Sequence, residues 1–137
     1  MSKQKLLSIT TRGQGLYEFT RDLERWVGEQ EVETGMCHLF VRHTSCSLTI
    51  QENADPSARA DLENWLNRLV PENDPLYTHT MEGPDDMPAH IKAILTNVSL
   101  SIPVVDGRLA LGTWQGLYLW EHRHQAHSRT VVAHISS

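Results

Sequence analysis

Two cysteines in 137 residues are too few for a disulfide framework, and Cys37 and Cys46 form no CxxC pair. The expectation is a reduced, cytoplasmic protein. No block of four or more Lys or Arg occurs, and the formal net charge is −5 with His neutral. Both argue against nucleic acid or an anionic membrane surface as the main partner. Unbroken apolar runs extend only a few residues, so no segment reads as a membrane-spanning helix. Met1-Ser-Lys-Gln-Lys5 leads into no apolar stretch of the secretory-signal kind. No linker, low-complexity tract, composition break or internal repeat divides the chain, so residues 1–137 read as one domain. No GxSxG-type elbow surrounds any serine, which removes the usual setting of a serine triad.

What is present is ordinary globular composition, 39% hydrophobic and 21% charged, together with eight histidines. Residues 4–10 read as a strand ended by Arg12-Gly-Gln-Gly15. Phe19, Leu23, Trp26 and Val27 recur at helical spacing and predict a helix over 18–29, with Gly28 weakening its end. Residues 36–43 alternate, with Cys37, Leu39 and Val41 on one face, and 46–50 repeat the pattern with Cys46, Leu48 and Ile50. Asp55-Pro56 opens a second helix, because Asp suits the N-cap and Pro the first helical position. Ala58, Leu62, Trp65, Leu66 and Leu69 form its expected apolar stripe, and Pro71 stops it. A third helix near 88–97 shows Ile91, Ile94, Leu95 and Val98 on one face. Strands follow at 98–104, 108–111, 114–124 and 129–136, with an Asp106-Gly107 hairpin turn between the first two. Strands outnumber helices without βαβ alternation. The expected class is α+β: one compact domain with a mainly antiparallel sheet or sandwich and two to three helices.

The densest cluster of potential ligands lies between His79 and His90, on a Gly- and Pro-broken loop running into the third helix. Asp86 and His90, four residues apart, share a helical face one turn apart, and His79 can fold back onto them. Two imidazoles and a carboxylate are a common ligand set for a divalent metal with open positions. The spacing equally fits a solvated acidic loop in which Asp85 or Asp86 caps the helix. A second constellation runs from His43-Thr-Ser45 to Glu52, Asn53 and Asp55. His43 stands at a strand end, where an inward-facing imidazole reaches a cleft. The helix N-terminus after Asp55 favours an anion such as phosphate or carboxylate. A Cys46 nucleophile is disfavoured, since alternation groups Cys46 with the core. Third comes Gly112-Thr113-Trp114-Gln115-Gly116, then a strand presenting Glu121 and Arg123 on one face. Those two suggest either a structural ion pair or an acid with an anion-binding partner. His122, His124 and His127 read as a solvated turn in preference to a metal site.

Together these motifs resemble the YjbQ family: His43-Thr-Ser, Glu52-Asn53-xx-Asp55-Pro56, His79-xx-Glu82-Gly83-xx-Asp86, Ala89-His90-Ile-Lys, and Pro103 through Gly112-Thr113-Trp114-Gln115-Gly116 to Glu121-His-Arg. The resemblance covers roughly residues 5–135. It implies a compact α+β domain, usually a homotrimer, with sites near subunit boundaries. It further implies a divalent metal, zinc or magnesium, held partly by histidine. The implied chemistry is a weak, secondary thiamine-phosphate synthase activity that joins hydroxymethylpyrimidine diphosphate to thiazole phosphate. Positions carried over are His43, Glu52, Asn53, Asp55, His79, Glu82, Asp86, His90, Trp114, Gln115 and Glu121. The resulting expectation is an enzyme acting on a small phosphorylated metabolite. His79, Asp86 and His90 hold the metal, and His43 is the acid or base. Glu52, Asp55 and Glu121 orient groups, while Ser45, Asn53, Thr113, Trp114, Gln115 and Arg123 contact substrate. The alternatives are a non-catalytic metal- or metabolite-binding module and a metal-assisted hydrolase.

Overall fold

A computed structural model describes residues 2–137. In chain order the elements are β1 (Ser2–Thr10), β2 (Gly15–Glu18), α1 (Thr20–Glu29), β3 (Thr34–Val41), β4 (Cys46–Glu52), α2 (Pro56–Leu69), α3 (Asp86–Leu95), β5 (Ser99–Val105), β6 (Arg108–Leu109), β7 (Gln115–Glu121) and β8 (Ser128–Ser136). The short β2 ahead of α1 was not expected: four residues are too few for periodicity to register against the neighbouring glycines.

Strand alternation decides which side chains meet. A five-stranded sheet in the order β1-β8-β3-β5-β6 faces a three-stranded sheet in the order β2-β7-β4, and the pairings are antiparallel. Cys37, Leu39 and Val41 of β3 and Val131, Ala133 and Ile135 of β8 turn inward to meet Leu48, Leu117 and Leu119 of the smaller sheet. Phe19, Leu23, Trp26 and Val27 of the first helical segment join this core as their spacing predicts. Burying each such side chain contributes about 1.5–3 kcal/mol. The predicted hairpin is present, with Asp106 (φ 50°) and Gly107 (φ 78°) carrying the turn that pairs Val105 with Arg108.

β7 alternates across its sheet. Its inward residues join the core, whereas Tyr118 and Trp120 point out and pack with Leu16, Leu66 and Val70 in a second cluster under α2. Two predicted helix faces need correction. Of the α2 stripe only Leu66 is buried within the helix, and Trp65 and Leu69 are half exposed. In α3 the buried residues are Asp86, Pro88, Ala89, Lys92 and Ala93, whereas Ile94 is 81% exposed. The small residues of α3 allow close approach to the sheet, so its bulkier apolar edge turns outward. The result is an α+β domain layered as large sheet, core, small sheet and two helices.

Candidate metal centre and its surroundings

Asp86 opens α3, and His90 follows one turn later on the same face. His79, on the preceding segment, folds back so that its Nε2 lies 2.7 Å from Asp86 Oδ2. His90 Nε2 lies 3.3 Å from the same oxygen. One ligand atom from each of the three residues falls within 4.8 Å of the others. Asp86 is buried, whereas the side chains of His79 and His90 are 50% and 32% exposed, so the cluster opens to solvent on one side.

The surroundings orient these atoms. His90 Nδ1 donates to the Thr44 carbonyl at 3.0 Å, which leaves the Nε2 lone pair of the neutral ring aimed at the cluster. Arg123 Nη1 donates to Asp86 Oδ1 at 2.7 Å, Nε to Asp85 Oδ2 at 3.0 Å, and Nη2 to the Glu82 carbonyl at 2.8 Å. Oδ1 of Asp86 is thereby taken and Oδ2 left for the imidazoles. Burial works against ionisation of Asp86, but the His79 hydrogen bond, His90 and Arg123 outweigh it and hold the carboxyl below its ordinary pKa. Asp85 behaves alike: burial is overcome by the His124 amide at 2.8 Å and by Arg123. The solvated acidic cap is therefore not what forms. Asp85 occupies the N-cap position without a capping bond and turns its carboxylate into a buried pair with Arg123. Arg123, expected on substrate, is engaged by these acids.

Next to this cluster, between the sheets, Glu121 is 1% exposed. Its sequence neighbour Arg123 offers only a backbone N–H. The ion-pair partner is Arg129, whose Nε donates to Glu121 Oε1 at 2.8 Å and whose Nη2 also reaches the carboxylate. Arg129 Nη2 donates to Ser45 Oγ at 2.9 Å, and Thr11 Oγ1 donates to Glu121 Oε1 at 2.7 Å. Burial raises the Glu121 pKa, yet the Arg129 and Thr11 bonds keep it below the usual value. Arg129 escaped the sequence reading. Its signal was positional, since it falls in the inward series completed by Val131, Ala133 and Ile135. His43 accepts from the Thr130 amide through Nε2 at 2.9 Å, leaving Nδ1. Burial, with Arg129 beside it, lowers the His43 pKa and favours the neutral ring. His122 is not in a solvated turn. It is fully buried, its Nε2 meets Ser47 Oγ at 2.9 Å, and burial with Lys92 and Arg129 pushes its pKa down to about 3.

The remaining expected residues lie elsewhere. The β4–β7 ladder pairs Cys46 with Glu121 at one end and Glu52 with Gln115 at the other. Six residue steps at roughly 3.3 Å each separate the ends by roughly 20 Å. At the far end Asn53 Nδ2 donates to Glu18 Oε2 at 3.0 Å, and Gln115 Oε1 accepts from the Gly112 amide at 2.8 Å. Thr113 and Trp114 are exposed there. The anion-receptive start of α2 is closed by the chain itself, because Asp55 Oδ1 accepts from Ser57 N and Oγ, each at 2.9 Å. Within one chain, His43, Ser45, Glu121 and Arg123 gather near the His79–Asp86–His90 cluster. Glu52, Asn53, Asp55, Thr113, Trp114 and Gln115 do not.

A family model described as UPF0047 protein YjbQ-like matches residues 5–137. A UPF0047 protein from Synechocystis is 52% identical over 97% of this chain and 90% of its own length. The UPF0047 protein YjbQ of Escherichia coli O157:H7 is 42% identical over 95% and 94%. A conserved hypothetical protein of Thermus thermophilus superposes with a TM-score of 0.82 at 38% identity, covering 93% of this chain and 97% of that one. A YjbQ/UPF0047-family protein from Clostridium acetobutylicum gives 0.84 at 34%, covering 98% and 99%. On its motifs, its fold and these matches, the chain belongs to the UPF0047 YjbQ-like family.

Proposed function

We propose that the protein is a metal-dependent enzyme acting on a small phosphorylated metabolite, with His79, Asp86 and His90 as the metal ligands. One observation carries this reading. The Nδ1–H bond to Thr44 aims His90 Nε2 at Asp86 Oδ2, 3.3 Å away, so that the neutral ring presents its lone pair there. A carboxylate oxygen and an imidazole nitrogen converging beside a third ligand atom match the donor set of a divalent cation, which takes the place of the ring proton. Zinc and magnesium remain the two candidates, and the two imidazoles favour zinc.

A divalent cation held there supplies charge neutralisation for a phosphate or diphosphate group. The chain's own residues do the rest. Arg123 holds Asp86 in one orientation by taking Oδ1, and Thr44 does the same for His90. His43 keeps Nδ1 for proton transfer while Nε2 is held by the Thr130 amide. Glu121, fixed by Arg129 and Thr11, supports the wall behind Ser45. A weak thiamine-phosphate synthase activity fits this centre as a secondary reaction, because displacement of diphosphate from the pyrimidine methylene by the thiazole ring nitrogen relies mainly on neutralising the departing diphosphate and positioning the two rings.

The same reading includes a homotrimer. Glu52, Asn53, Trp114 and Gln115 lie at the opposite end of the β4–β7 ladder from Glu121, roughly 20 Å along it, and a neighbouring copy is the means of bringing such a set to the centre. Apolar residues left exposed on α3 and on the outer face of the large sheet, including Ile94, Leu95, Phe40 and Leu6, fit burial between copies.

Metal analysis tests the ligand set directly. Purified wild-type protein is expected to carry about one divalent ion per chain, and His90→Ala to lose at least roughly tenfold in affinity. Equal metal content in both would sink the proposal. A screen of phosphorylated metabolites with added metal then tests turnover, and trace turnover alongside measurable binding would favour a binding module.

A further inference from the structure

On the side of α3 turned away from His90, the α2 and α3 helices leave a cavity of about 220 Å³ over the small sheet. Lys92 reaches it because two residues along an α-helix rotate the side chain by about 200°. The lining is polar: Lys92, then Glu63, Asn64 and Asn67 of α2, Gln14 before β2, and His122 after β7. Gly15, Trp120 and Glu121 complete the wall, and no lining residue is a ligand of the proposed metal centre.

Lys92 is the anomaly. It is 2% exposed, and its Nζ donates to a neutral amide, Asn67 Oδ1, at 2.5 Å. Among the described residues no carboxylate stands within 4.0 Å of it. Burial lowers its pKa against the longer-range pull of Glu72 and Asp85, and both of those acids are engaged elsewhere, Glu72 with His124 Nε2 at 2.5 Å and Asp85 with Arg123. Glu121, on the cavity wall, is neutralised by Arg129. Glu63 is tied by the Leu16 amide at 3.1 Å. A buried ammonium without a contact counter-ion is costly. A ligand entering this cavity from solvent can complete the pair.

We propose that this cavity is a second binding site, which takes the oxyanion end of a small metabolite, carboxylate or phosphate, against Lys92 beside Asn64 and Asn67. Two N–H groups of Lys92 stay available after the Asn67 bond, and a charge-assisted bond to an oxyanion is stronger than one to an amide. Glu63 on the same lining accepts from a hydroxyl or ammonium on the ligand and disfavours a bare polyanion. The site is independent of the metal centre, and so is its test.

Calorimetric titration of the full chain with inorganic phosphate and, separately, acetate, both in excess EDTA, reads the site without metal. Wild type and His90→Ala are expected to bind alike, and Lys92→Met to bind about tenfold or more weakly. Tighter phosphate than acetate points to a phosphoryl ligand, the reverse to a carboxylate, and either supports the oxyanion site. Where Lys92→Met fails to melt cooperatively, two lining variants decide. Glu63→Gln removes a negative charge and tightens binding, whereas Asn64→Asp adds one and weakens it, each severalfold. No saturable binding of either anion by wild type, binding lost in His90→Ala but kept in Lys92→Met, or equal affinity in the two lining variants overturns the proposal.

Discussion

At the residue scale, burial sets the chemistry of most titratable groups. His122 is held neutral inside the fold, with a pKa of about 3 against an ordinary 6.5. Between those values the unfolded chain binds the proton and the folded chain does not. Stability is therefore complete above pH 6.5 and falls as the pH drops toward 3, by about 1.4 kcal/mol per unit for this one group. His122→Gln keeps a partner for Ser47 and removes the titration. Urea unfolding between about pH 4.5 and 6.5 is expected to show a shallower loss of stability in the variant, and identical slopes would refute the assignment. Below pH 4.5, the ordinary value for Glu121, both proteins lose further stability, because the depressed Glu121 pKa favours folding only while the carboxylate stays charged. Identity of these groups was plain in the chain, but their partners were not. Glu121 and Arg123 stand two apart and suggested a pair, yet Glu121 chose Arg129 across the turn into β8 and Arg123 chose Asp85 and Asp86. Choices of this kind depend on which strands lie adjacent, which no local pattern encodes.

At the scale of elements, local pattern was most legible where one face packs on the core. The stripe through Phe19, Leu23, Trp26 and Val27 and the alternation of Cys37, Leu39 and Val41 are buried as read, as are Cys46 and Leu48, with Ile50 partly so. The stripes on α2 and α3 misled, because hydrophobic spacing reports an apolar face without saying what covers it. Two glycines give opposite expectations. A Cβ at Gly35 would stand 2.3 Å from the Ser136 carbonyl oxygen, backbone that cannot move without breaking the β3–β8 ladder. Gly35→Ala is expected to cost about 2 kcal/mol or more. Gly28, late in α1, has open space around its Cβ position, so Gly28→Ala is expected to gain about 0.5–1 kcal/mol from helix propensity. Denaturant melts of the pair check both signs, and a tolerated Gly35→Ala would contradict the close approach.

For the whole molecule, the exposed apolar residues and the split between the two ends of the β4–β7 ladder are the same problem. Ile94 is 81% exposed and Phe40 51%, apolar surface that a neighbouring copy would cover. Light scattering behind gel filtration is expected to give three times the chain mass at micromolar protein. A Phe40→Glu, Ile94→Glu double variant is expected to shift that mass downward and to lower any metal-dependent turnover with it. A monomeric wild type would remove the trimer from the proposal while leaving the metal ligands standing. Short-range information in the chain determined the α+β class, most strands, the α2 cap at Asp55-Pro56, the Asp-Gly turn and the gathering of His79, Asp86 and His90. These rest on contacts within a few residues. The tertiary structure alone decided that Arg129 neutralises Glu121, that Arg123 positions Asp86, that His122 and Lys92 are buried, and that Glu52 stands at the far end of the β4–β7 ladder from Glu121. Each of those depends on strand register and layer packing, where the free energy of a side chain is set by neighbours distant in sequence.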